Sequence, residues 1–151
     1  MSIHRAKLEW RRDGQLFEPS KFNRAHRIEF EPSVATDGNA AKENLPTGAP
    51  HSPGADPEQL FVASVSACHM LWFVGLASVR RLTVNRYVDD AEGVLEKNAE
   101  GRMAMTRVIL RPAVEFEVPP SPEVLAELHH KAHEKCFIAN SVRAEVIIEP
   151  R

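Results

Sequence analysis

What this sequence lacks narrows it before any motif does. Cysteine is scarce: only Cys68 and Cys136 occur in 151 residues, too few and too far apart for a disulfide framework. In a reducing compartment a permanent bridge between them would also be uncommon. The pair is therefore either redox chemistry or two small buried hydrophobes, the usual fate of free cysteine. No block of like charge is present, because 19 Lys and Arg are scattered among 21 Asp and Glu for a formal net charge of −2. That pattern leaves no electrostatic footprint for a nucleic acid. Residues Met1 to Trp10 lack the unbroken apolar stretch and small-residue cleavage site of an export signal, so a cytoplasmic location is expected. No internal repeat or low-complexity tract interrupts the chain, and its length suits a single domain over residues 1–151.

What is present reads as an α+β chain. Ala6, Leu8 and Trp10 alternate with polar residues in a half-buried strand that Asp13-Gly14 ends, and Ile28 and Phe30 repeat the alternation. The stretch from Pro32 to Pro53 is rich in proline and small polar residues and reads as an irregular loop. Strand patterns return over 85–97 and 103–111, joined by the turn Asn98-Ala99-Glu100-Gly101, which predicts an antiparallel hairpin. Further strands are expected over 113–118 and 142–149. Two helices are expected, one after Asp56-Pro57-Glu58 and one after Ser121-Pro122-Glu123, each opened by a capping side chain and a proline at the first helical position. The expected order is β, β, α, β, β, β, α, β, with antiparallel sheet packed on two long helices.

From Gln59 to Val79 the first helix contains no Asp, Glu, Lys or Arg. Its length, on the order of 30 Å, would cross a bilayer. Against that stand Ser64, Ser66, His69 and Ser78 within the run and the acidic cap before it. An all-round apolar helix is also found in a core or an oligomer interface. No membrane partner is expected.

Cys68 lies in the middle of this helix and Cys136 at the end of the second. An unperturbed thiol is only a few per cent ionised at neutral pH, and apolar burial lowers that fraction. A reactive Cys68 needs a nearby cation, because helix-dipole effects fade within the first turn. Arg24, Arg27 and His69 are the candidates that the residues alone leave open.

Asp-Pro-Glu-Gln-Leu-Phe at 56–61, a cysteine ten residues after the glutamate, and a second cysteine closing a later helix before a final strand together resemble the OsmC/Ohr family of hydroperoxide reductases. The resemblance implies that Cys68 is the peroxidatic cysteine and Cys136 the resolving one, cycling through sulfenic acid and a disulfide. It implies an organic hydroperoxide as substrate, a dithiol as reductant and no cofactor. Glu58 corresponds to the family glutamate and Arg24 to the arginine paired with it, with Arg27 as the alternative; a plain helix-cap charge is the simpler role for Glu58. His69 and Phe137 depart from the family, whose better-known branches carry Phe after the first cysteine and Pro after the second. Because Glu58 and Cys68 lie about 15 Å apart along one helix, a second chain crossing it would join them more readily, and an intertwined homodimer is expected.

Two other readings compete. His129, His133 and Cys136 fall at helical spacing, with Cys68 or His69 to complete a zinc site, although no zincin glutamate follows His129. Alternatively, Met70, Trp72, Phe73 and Phe137 line a pocket for a small apolar ligand.

Overall fold

The computed structural model describes residues 4–9, 11, 24–30, 34–41 and 45–151. The chain divides into two compact units, residues 1–60 and 61–151, and each is taken by itself.

In the first unit, strands β1 (Ala6–Glu9), β2 (His26–Phe30) and β3 (Val34–Gly38) form an antiparallel sheet in that order. The alternation in β1 marks a strand but not a buried face, since Leu8 is exposed while its register partner Ile28 is buried. Trp10 and Asp13-Gly14 lie outside the described residues. β3 corrects the sequence reading, which placed an irregular loop there: Val34 to Gly38 gains its order by pairing along β2, a partner that local composition does not reveal. Beyond it, the Asn39 amide nitrogen donates to the Ser52 carbonyl at 2.7 Å, and the backbone of Asp37 and Asn39 bonds with that of Ala55. Residues 52–55, just before the first helix, are thereby held to residues 37–39.

That helix, α1 (Pro57–Val79), starts on a reciprocal cap: the Gln59 N–H donates to Asp56 Oδ1 at 2.7 Å, and the Asp56 N–H donates to Gln59 Oε1 at 3.1 Å. Two N–H groups that the helix itself cannot satisfy thus find partners. Its end is a left-handed cap in which Leu82 N–H bonds the Ala77 carbonyl and Arg81 N–H the Ser78 carbonyl. Arg81 takes φ +58° there, a position where glycine is usual.

The second unit holds two sheets and the second helix. The run read as one strand over 85–97 is two: β4 (Val84–Asp89) pairs β7 (Pro112–Phe116), while β5 (Glu92–Lys97) forms the expected hairpin with β6 (Met103–Leu110). Asp89 accounts for the break. Its carboxylate accepts from Ser66 Oγ at 2.5 Å and from the Arg111 N–H at 2.6 Å, tying the end of β4 to α1 and to the β6–β7 corner. The last strand, β8 (Glu145–Ile148), runs parallel to β6, so this sheet is not wholly antiparallel. Helix α2 (Pro122–Lys135) is capped by Ser121, whose hydroxyl accepts from the Val124 N–H, and is followed by a single 3-10 turn, Ala139–Ser141.

One stripe of α1 does the packing: Val65, His69, Phe73 and Ala77, spaced one per turn, are its buried residues. Val65 joins Val108, Leu110 and Ala144 in one core cluster. Phe73 and Ala77 join Leu128 and Ala132 of α2 in another, with Tyr87, Val114 and Phe116 packed against it. The thiol-bearing turns lie where α1 passes from the first cluster to the second.

Candidate active site

Cys68 comes from the middle of α1 and Cys136 caps α2, so the packing of two helices decides whether they meet. They do: both are free thiols, and Cys68 lies close enough to Cys136 to perturb its ionisation. Cys68 is half-buried, whereas Cys136 is 0 % exposed. A solute arriving from water therefore reaches the Cys68 sulfur first. Burial pushes the Cys136 thiol up to about 11, and the neighbouring Cys68 adds to the rise. Backbone N–H groups of Ala139 and Ile138 oppose it, the former donating to Cys136 Sγ at 3.4 Å. At neutral pH Cys136 is accordingly a protonated neighbour to a more accessible cysteine.

An aromatic edge borders the pair. The Trp72 ring meets Phe137 edge-on with centroids 5.4 Å apart, and Lys135 Nζ stands 5.5 Å from the Trp72 ring centre. Phe137 is 67 % exposed. Phe73, expected in the same lining, is instead fully buried core against Tyr87 and His129.

Residues 49–151 match the family described as OsmC-like protein. The chain belongs to the OsmC-like family. An OsmC-like protein of unknown function from Vibrio cholerae is similar over the full length of both chains, with 41% identity and a TM-score of 0.94. More distant structures share the fold. An organic hydroperoxide resistance protein from Elizabethkingia anophelis is 17% identical with a TM-score of 0.71, covering 99% of this chain and 94% of its own. OhrB, an organic hydroperoxide resistance protein of Bacillus subtilis, is 20% identical with a TM-score of 0.68, covering 99% of this chain and 98% of its own. No curated protein matches the sequence.

Within this OsmC-like chain the four expected site residues divide between the two units. Cys68 and Cys136 come together in the second. Glu58 lies in the first turn of α1, and Arg24 lies just before β2, its carbonyl oxygen 2.9 Å from His26 Nδ1. Arg27, the alternative to Arg24, is on β2 with its guanidinium 3.5 Å from Glu29 and 3.6 Å from Asp37.

The arrangement lends the zinc alternative no support. Among the described residues no group of three or more His, Cys, Asp or Glu is placed to hold a metal ion. His129, read as a ligand on the α2 stripe, turns to His69 of α1 instead, with His69 Nε2 and His129 Nδ1 3.1 Å apart. Burial holds both imidazoles down at about 4, so both are neutral near pH 7; His129 and His133 add to the effect on His69, while Asp89 opposes it on His129. A neutral His69 is therefore no source of positive charge for Cys68. Sequence reasoning missed this imidazole pair. The signal was a histidine in the apolar stripe of each helix, and only the packing of α1 on α2 shows that they meet.

Proposed function

We propose that this OsmC-like protein is a thiol-dependent peroxidase for organic hydroperoxides. The observation that carries the reading is the placement of a half-buried Cys68 beside a buried Cys136. The Cys68 thiolate attacks the terminal oxygen of ROOH, the O–O bond breaks, and the RO⁻ fragment takes a proton to leave as ROH, with Cys68 oxidised to sulfenic acid. Cys136 then gives up its proton and attacks the Cys68 sulfur; the S–S bond forms and the sulfenic oxygen departs as water. A dithiol reductant closes the cycle by exchange, becoming a disulfide as Cys68 and Cys136 return to thiols.

Arg24 supplies the positive charge that favours the thiolate, and Glu58 orients Arg24. The working form is a cytoplasmic homodimer in which the uncharged face of α1 is covered by a second copy. By length and composition alone α1 could also cross a membrane, but the capped, serine-bearing helix favours an interface.

Steady-state consumption of cumene hydroperoxide in the presence of a dithiol tests the reading, run beside hydrogen peroxide. The organic substrate should be reduced faster, since Trp72 and Phe137 offer apolar contact worth about 1 to 3 kcal/mol of discrimination. No turnover with either peroxide would overturn it. The dependence of Cys68 alkylation on pH tests the arginine. Arg24→Ala should move that titration upward, and if Arg27→Ala does so while Arg24→Ala does not, Arg27 holds the role.

A further inference from the structure

Contacts that ascend α1 descend α2, as in an antiparallel pair. Cys68 neighbours Cys136, Phe73 lies against His129 with ring centroids 4.4 Å apart, and Arg80 reaches Glu127 at 2.7 Å. Between the thiols and the ion pair lies one buried polar contact, the His69–His129 pair. The rings are nearly coplanar, 5° apart, with His69 Nε2 and His129 Nδ1 separated by 3.1 Å. Each ring is buried, at 1 % and 4 % exposure. Their outward nitrogens, His69 Nδ1 and His129 Nε2, have no hydrogen-bond partner among the described residues. The mutual bond, in which one neutral ring donates and the other accepts, is thus the directional contact that fixes both.

Apolar side chains tolerate sliding between helices, because burial is not directional. A buried hydrogen bond does not, since a shift of register leaves a donor or acceptor unsatisfied in a low-dielectric site. His69 directly follows Cys68, and His129 precedes Cys136 by two helical turns, so the register in which the rings meet is also the register in which the sulfurs meet.

We propose that the His69–His129 hydrogen bond is a positioning contact that holds α1 in register with α2 and sets the effective concentration of the Cys68 and Cys136 thiols toward each other. It rests on the dithiol reading above but not on peroxide as the oxidant. The same closure occurs with oxidised glutathione: Cys68 and Cys136 lose two electrons and two protons as their S–S bond forms. The glutathione disulfide takes both and is cleaved to two thiols. A change in fold stability common to the reduced and oxidised protein cancels from this equilibrium, whereas a change in how the sulfurs face each other does not.

Amide side chains separate the two possibilities. Asn presents its amide near the place of imidazole Nδ1, and Gln near that of Nε2. His69→Gln and His129→Asn therefore keep a polar atom facing the partner ring, while His69→Asn and His129→Gln withdraw it. Disulfide formation in the full-length variants is measured by thiol trapping across glutathione buffers near pH 7. The first two variants should stay close to the parent. The second two should lose about tenfold in the equilibrium constant, which is about 30 mV for a two-electron couple. Equal shifts in all four, or none in any, would overturn the proposal. Should one of the withdrawing variants not fold, the other sits on the opposite helix and carries the same comparison. A parent protein that forms no disulfide at any glutathione poise removes the dithiol reading and the positioning role together. A normal parent without the crossed pattern removes the positioning role alone.

Discussion

The two helices that carry the thiols are built on opposite plans. Helix α2 is matched to its own chain: Leu128, His129 and Ala132 face inward, while Glu123, Glu127, Glu134 and Lys135 stand in water. Helix α1 has no charged side chain from Gln59 to Val79, yet it buries only the stripe Val65, His69, Phe73 and Ala77. Leu71 and Val79 are 67 % and 83 % exposed. An amphipathic helix is apolar where its own fold covers it. Helix α1 is apolar well beyond that, and this excess is the physical reason for expecting a second copy of the chain against it. The thiols follow the same contrast, Cys68 open on the helix that is under-covered and Cys136 closed at the end of the helix that is fully matched.

The sharpest way to break that comparison is to remove each sulfur in turn. Cys68→Ser should reduce peroxide consumption to the protein-free rate, because a serine hydroxyl is scarcely ionised at neutral pH. Cys136→Ser should still give one turnover and leave Cys68 as a trapped or over-oxidised sulfenic acid. Rapid-mixing kinetics with mass spectrometry reads both, and equal single-turnover rates for the two variants would dissolve the division of roles.

The helix faces themselves come next. Leu71→Glu, on the open face of α1, should bring the particle mass by light scattering from about twice the chain mass to the 16.9 kDa of one chain. Secondary structure should survive. Leu128→Ala, on the closed face of α2, should leave assembly intact and lower unfolding free energy by about 2 to 5 kcal/mol, the range for a fully buried leucine. A monomeric parent would erase the contrast.

Acid probes the contact that joins the two helices. His69 and His129 are held at about 4 against an ordinary value of 6.5. Between those pH values the unfolded chain binds protons that the folded chain refuses. Stability is therefore fully present above about pH 6.5 and is lost as pH falls toward 4, by up to about 1.4 kcal/mol per pH unit for each proton. Urea unfolding across that window should show the slope, and the double variant H69Q/H129N should flatten it, since amides do not titrate there. The smallest effect concerns the helix ends. Arg81→Gly should raise stability by about 0.5 to 1 kcal/mol, because it relieves a left-handed conformation that a side chain disfavours.

Where the signal was local, the sequence was legible. Asp56-Pro57 and Ser121-Pro122 announce both helix starts, because capping chemistry acts within a few residues. Asn98 to Gly101 announces its turn, where Asn98 Oδ1 accepts from the N–H groups of Glu100 and Arg102 and Gly101 takes a positive φ. Where order depends on a distant partner, it was not. β3 needs β2, the split of β4 from β5 needs Asp89 to be held by Ser66 and Arg111, and β8 reveals its parallel direction only beside β6. The stripe His129, His133 and Cys136 carries metal ligands at helical spacing, and only the arrival of His69 from elsewhere in the chain shows what His129 faces.

By itself the sequence determined the family, the two capped helices and the two cysteines as the candidate chemistry, since each is written in residue type and short spacing. Tertiary structure decided that the two cysteines are neighbours, that Cys136 is the buried one, and that a neutral imidazole pair stands beside them. Those facts depend on the register of α1 against α2, and register is set by contacts between residues about 60 positions apart, which no local pattern can express.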